Sequence, residues 1–137
     1  MSNPFIDTDV IIRLLTGDDP RKQSRATALF KQVEEGSLIL EAPDTVIADA
    51  VYVLASKALY AKSRTEVQEL LTPLLRLAGF RVSNKRVVLR ALEIYGTTNR
   101  DFGDAMIVAA MEQRATEELY SFDRGFNNFP GVKRVEP

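Results

Sequence analysis

The sequence predicts an α/β fold, a three-layer sandwich on a short-stranded, mostly parallel sheet. Short apolar runs alternate with helix-period segments along the whole chain, the pattern of strands joined by crossover helices. Breakers and caps such as Asp18-Asp19-Pro20, Pro43-Asp44 and Ser63-x-x-Glu66 separate these segments. No internal repeat, low-complexity tract or linker interrupts the 137 residues, so one domain over residues 1–137 is expected.

Phe5-Ile6 is a short strand signal. Val10, Ile11, Leu14 and Leu15 follow at helical spacing. Asp18-Asp19-Pro20 ends that helix and starts the next, with Pro20 at the first helical position. Ala26, Leu29, Phe30 and Val33 form one face of this second helix, and Gly36 ends it. Leu38-Ile39-Leu40 reads as a buried strand. Pro43-Asp44 opens a third helix carrying Val46, Ile47, Ala50, Val53 and Leu54. Ser63-x-x-Glu66 is a capping box; it opens a helix with Val67, Leu70, Leu71, Leu74 and Leu75, closed by Gly79. Phe80-Arg81-Val82 reads as a strand. Asn84 is expected to cap a helix with Val87, Val88, Ala91, Leu92 and Tyr95, and Asp101 to cap one with Met106, Ile107, Ala109 and Ala110. Glu118 to Phe122 and Lys133 to Val135 complete the strands.

Composition narrows the chemistry. With no Cys and no His, disulfides, thiolate ligands and the usual zinc sites are unavailable. A formal net charge of −1 gives no overall basic character, so any contact with nucleic acid must come from a local patch. The first residues lack a basic region followed by an apolar stretch. No apolar run approaches the ~18 residues that span a membrane. A cytoplasmic location is the expectation.

Four segments place aspartates where strands end or helices begin: Phe5-Ile6-Asp7-Thr8, Val46-Ile47-Ala48-Asp49, Asp101-Phe102-Gly103-Asp104 and Ser121-Phe122-Asp123. In α/β folds, ligands bind at the carboxyl ends of the strands, so Asp7 and Asp123 are expected to face that crevice. One sheet edge could thus gather four or five carboxylates. Asp18, Asp19 and Asp44 are explained by turn and cap roles alone. Asp101 has an equally good role as an N-cap. Asp104 lies three residues on, on the same helix face. Asp49 interrupts an apolar stretch, where burial of an unpaired charge would be costly. Carboxylates at close range raise one another's pKa unless a cation neutralises them. Mg²⁺ or Mn²⁺ suits an all-oxygen donor set and would promote attack of water on a phosphate ester.

At these residues the sequence resembles the PIN-domain family, in particular VapC-type toxins of toxin–antitoxin pairs. The matching pieces run in order: Phe5-Ile6-Asp7-Thr8, Val46 to Leu54, Asp101 to Ile107, Ser121 to Phe126, and Pro130-Gly131-Val132. The resemblance implies a metal-dependent endoribonuclease acting on RNA, usually neutralised by a cognate antitoxin and often a homodimer. It implies that Asp7, Asp104 and Asp123 bind metal, that Asp101, a frequent but less constant acid of the family, joins the metal set, and that Thr8 orients ligand or water. Asp49 stands where the family usually has Glu, one methylene longer, and completes the expected catalytic set.

Arg100 and Arg124 flank the acids and are the expected substrate contacts. The other Arg and Lys clusters, at 21–25, 57–64 and 85–90, read as solvated helix faces. Tyr52, Tyr60 and Phe30 could stack a base or pack a partner helix, with core packing the favoured reading. The third and fourth helices, with Val53, Leu54, Leu59, Leu70 and Leu71, read as an apolar hairpin that packs internally or forms a dimer or antitoxin surface.

Two other readings use the same residues. Asp7-Thr8-Asp9-Val10 resembles the opening motif of haloacid-dehalogenase-like phosphatases, with Asp7 as nucleophile and Asp9 as acid/base; no downstream lysine motif accompanies it. A PIN-like module that binds RNA or protein but cuts poorly is the other, motivated by Asp49.

Overall fold

The structure, a computed structural model, describes residues 2–137. The chain runs through helices α1 (Thr8–Leu15) and α2 (Pro20–Glu34), strand β1 (Leu40–Ala42), helices α3 (Asp44–Ala55) and α4 (Arg64–Leu75), strand β2 (Phe80–Val82), and helices α5 (Lys85–Thr97) and α6 (Phe102–Arg114). Strand β3 (Glu118–Tyr120), a 3-10 turn (Arg124–Asn128) and strand β4 (Lys133–Val135) complete it.

The helix boundaries follow from side-chain chemistry. Pro20 opens α2, where its missing N–H costs nothing, and the Asp19 carboxylate accepts from the Lys22 N–H at 3.1 Å. Gly36 leaves α2 at φ +83°, a conformation glycine adopts without a Cβ penalty. The Ser63–Glu66 capping box is formed in both directions, at 3.1 and 3.0 Å. Asp101 accepts from the Asp104 N–H at 2.9 Å and so caps α6.

Three expectations are corrected. Asn84 has the left-handed φ of 56° and makes no capping bond to its own helix; its amide instead donates to the Asp44 carboxylate at the start of α3. Helix α4 ends at Leu75, four residues before Gly79. Strand β1 begins at Leu40 rather than Leu38, because its register is set by pairing Leu40–Ala42 with Phe80–Val82.

The fold is α/β and every strand pairing is parallel. The strands form two pairs rather than one continuous ladder: β1 with β2, and β3 with β4. The Phe5-Ile6 segment adds a single parallel bridge to Glu41, with Ile6 N–H donating to the Glu41 carbonyl and Glu41 N–H to that of Pro4.

Helix α5 packs between α4 and α6, and α1 packs on both α2 and α3. The core is continuous across these elements. Ile11, Ile47, Leu54, Leu71, Leu75, Phe80 and Leu92 are fully enclosed, each worth roughly 1.5–3 kcal/mol relative to exposure. Phe30 of α2 meets Phe80 of β2 edge-on at 5.5 Å, an arrangement that aromatic quadrupoles favour. The hairpin expected of α3 and α4 is chiefly internal: Leu54 and Leu71 are buried, while Leu59 between the helices is exposed. The scaffold thus fixes α1, α3, α6 and the end of β3, the four places that carry the acids.

Candidate active site

Asp7 occupies the N-cap position of α1 but makes no capping hydrogen bond. Its carboxylate is exposed, so the cap role does not account for it. Next to it, the Thr8 hydroxyl donates to the Val46 carbonyl at 3.4 Å, tying the start of α1 to the first turn of α3. Asp49 lies three residues beyond Val46 on α3.

The expectation that Asp49 is buried is corrected. It is exposed, because α3 buries Val46, Ile47, Ala50, Val51 and Leu54 and turns positions 48 and 49 outward. Its apolar neighbours in sequence are not its neighbours in space. Among the described residues, its side chain makes no hydrogen bond or ion pair.

Two other acids meet around one cation, and a third caps the helix turn beside them. The Arg100 Nη2 lies 2.7 Å from Asp104 Oδ2 and 2.6 Å from Asp123 Oδ2. Asp101 caps the same helix turn through the Asp104 N–H. Asp123 also accepts from the Gly125 N–H at 2.8 Å, which fixes the turn after β3. The Arg100 guanidinium lies over the Phe126 ring, 4.8 Å from its centroid. Sequence reasoning placed Arg100 at the substrate; here it lies among the acids. Arg124 is exposed.

The two carboxylates respond differently to that guanidinium. Asp123 is held below the ordinary aspartate range, first by the hydrogen bond from Arg100 and then by the Gly125 N–H. Asp104 is pushed upward, first by burial and then by the charge of Asp101, with Arg100 opposing both. The difference is enclosure: the Asp104 side chain is 23% exposed and that of Asp123 52%, so desolvation dominates at Asp104. Arg100 itself is shifted up, chiefly by its bond to Asp123.

The donor set is carboxylate only, which suits a hard divalent cation. Asp104 and Asp123 fit such an ion in position, since their oxygens converge on one cationic nitrogen. No group of three acids lies close enough together to ligate one ion among the described residues. Asp7 and Asp49 stand on helices that pack together, and neither bonds to the Arg100 cluster.

Beside the cluster, a cleft of about 490 Å³ opens between α3 and the start of α6. Ala48, Val51, Tyr52, Tyr95, Asp101 and Phe102 line it. Tyr52 is 77% exposed, contrary to the core role expected of it.

Sequence reasoning missed three contributors. Arg64 donates to the carbonyls of Tyr95, Asn99 and Arg100 and stacks 4.4 Å over the Tyr95 ring. It is the clamp that positions the Arg100 loop, not part of a solvated face. Gly125 and Phe126 line the guanidinium; Ser121 to Phe126 carried the family resemblance but no sign of a contact with Arg100.

Asp9 pairs with Arg13 of its own helix at 3.5 Å, and the groove it lines is shared with Lys22 and Arg25 of α2. That pairing gives no support to the acid/base role the phosphatase reading requires.

The sequence profile of the family described as PIN domain matches residues 5–132. Among solved structures, the chain is similar to VapC20 of Mycobacterium tuberculosis, described as a Sarcin-Ricin loop cleaving toxin. That similarity stands at 18% identity and a TM-score of 0.42, covering 95% of this chain and 98% of the other. No curated protein matches the sequence.

Proposed function

The chain belongs to the PIN-domain family, and on that premise we propose that it is a divalent-cation-dependent endoribonuclease, the toxin of a toxin–antitoxin pair. The observation that carries the reading is the convergence of Asp104 and Asp123 on one cationic centre, with Asp101 in the same helix turn. The family supplies the reaction class, and the acids supply the means.

Asp7, Asp104 and Asp123 would hold Mg²⁺ or Mn²⁺, with Asp101 adjoining. The bound ion would supply an activated water and offset charge on the phosphate oxygens. The chain's own residues do the rest. Thr8 fixes the start of α1 against α3. Asp49, exposed and unengaged, accepts the proton of the attacking water in a protein that has no histidine. Arg124 stands at the surface, one residue from Asp123, where a phosphate would be met. A single-stranded segment is the favoured substrate. Exposed Tyr52 in the cleft and Phe122 beside Asp123 offer stacking faces for unpaired bases.

A cognate antitoxin protein and a homodimer belong to the same proposal. Exposed Tyr52 and Leu59, at α3 and the α3–α4 connection, are candidate contact points. No helix of the described residues is long and apolar enough to cross a membrane.

A second reading keeps the fold and drops the cutting: a PIN module that binds RNA. The bridge by Arg100 and the shorter acid at position 49 favour it. The two separate in one assay. RNA with single-stranded loops is incubated with purified protein in Mg²⁺, in EDTA, and in EDTA followed by excess Mn²⁺. Cleavage that stops in EDTA and returns with Mn²⁺ supports the nuclease. Binding without cleavage in every arm supports the module.

A further inference from the structure

We propose that Arg100 is a built-in counter-cation of Asp104 and Asp123, which must leave them before a divalent cation can bind. The inference rests on the metal-dependent reading above and concerns what holds the site in its metal-free form.

The geometry is that of an internal plug. One nitrogen of Arg100 contacts a carboxylate from α6 and another from the turn after β3, two elements otherwise far apart in sequence. It therefore neutralises the two acids on which the donor set converges. A divalent ion and a guanidinium compete for these carboxylates, because two cations in contact with the same oxygens repel each other. The side chain is only 19% exposed, so this is no loose surface pair.

The backbone beneath it is fixed, and the side chain is held with one donor left over. Arg64 holds the Arg100 carbonyl, and the Arg100 N–H donates to Thr98 Oγ1 at 3.3 Å. The guanidinium is incompletely satisfied: Arg100 Nε is buried with no hydrogen-bond partner among the described residues. A buried donor left unpaired costs free energy, so the pose is weakened from within. That suits a group that leaves the acids when a stronger cation competes.

Gly125 provides an independent handle. A Cβ there would lie 1.8 Å from Arg100 Nη1 and 3.0 Å from Asp123 Oδ1; the severe overlap is with the far end of the flexible arginine, and the carboxylate has to give only slightly. Gly125 is not among the positive-φ residues, so alanine fits the backbone. Gly125→Ala should therefore push the guanidinium off the acids while keeping every charge in place.

Mn²⁺ binding to the full chain, without RNA, is measured by calorimetry for the native protein, Arg100→Met and Gly125→Ala. If the guanidinium leaves the acids about a tenth of the time, freeing them tightens Mn²⁺ binding about tenfold in both variants. Arg100→Met also melts at lower temperature without metal and recovers more on adding Mn²⁺ than the native protein does. Tightening in Gly125→Ala is the stricter sign, because the local charge is unchanged. If the native protein binds Mn²⁺ and Gly125→Ala binds it equally or more weakly, the plug is wrong and the metal-dependent reading stands. If no form binds Mn²⁺, both fall. Should Arg100→Met fail to fold, Gly125→Ala decides alone.

Discussion

The guanidinium of Arg64, at the first residue of α4, donates to the backbone carbonyl of Arg100, 36 residues along the chain. It bonds the carbonyls of Tyr95 and Asn99 as well, so one side chain caps the end of α5 and seats the loop that leads to the acids. The planar fork spreads its donors over two nitrogens, Nη1 and Nη2, a spacing that the single nitrogen of an ammonium does not reproduce.

Arg64→Lys is accordingly expected to destabilise the protein by about 2–3 kcal/mol, although the charge is kept, since two part-buried carbonyls lose charged donors. Urea unfolding followed by circular dichroism measures it. A change within error of zero would mean that Arg64 is only a surface charge.

The pH response should be traceable to Asp101. Burial and the Asp101 charge both raise Asp104 above the ordinary 3.8. The folded protein then holds more protons than the unfolded chain between pH 3.8 and the raised value, so this group's contribution to stability falls as pH rises through that window. Asp101→Asn removes the charge and keeps a good N-cap. Carboxyl-carbon NMR titration should show Asp104 moving down toward the ordinary value while α6 stays folded. An unmoved or raised Asp104 would count against the coupling.

Asp49 is exposed and unconstrained, so Asp49→Glu should change stability by no more than about 0.5 kcal/mol. Its longer arm should raise the cleavage rate, by bringing the carboxylate closer to the other acids. Thermal melts and initial rates on one RNA read the two effects separately. No gain in rate would mean that aspartate suffices at this position.

The capping box offers a control far from the acids. Ser63→Ala should cost about 1 kcal/mol with the cleavage rate per folded molecule unchanged. A rate that falls with the stability would show that α4 is coupled to the site through Arg64.

The helices were legible because their signals are local. Pro20, the Ser63–Glu66 pair and Asp101 act within one turn, and each does in the structure what its position implied. Strand register was less legible. Leu38-Ile39-Leu40 is the more apolar triplet, yet pairing with β2 selects Leu40–Ala42, a choice made by a partner some 40 residues away. Asp49 was misplaced for a related reason: apolar residues beside it in sequence lie on the other side of a helix. The acids themselves were readable as residues. Their meeting with Arg100 was not, because it depends on how the loop before α6 packs on the turn after β3. Gly125 matters there only through a contact that no local pattern announces.

The central claim is that the aspartates drive metal-dependent RNA cleavage. Its most direct test is cleavage of one loop-bearing RNA in Mg²⁺ by the native protein, Asp7→Asn and Asp104→Asn, with folding verified by circular dichroism. Cleavage by the native protein is expected, with a loss of about a hundredfold or more in each variant. Cleavage at native rates by both folded variants would contradict it.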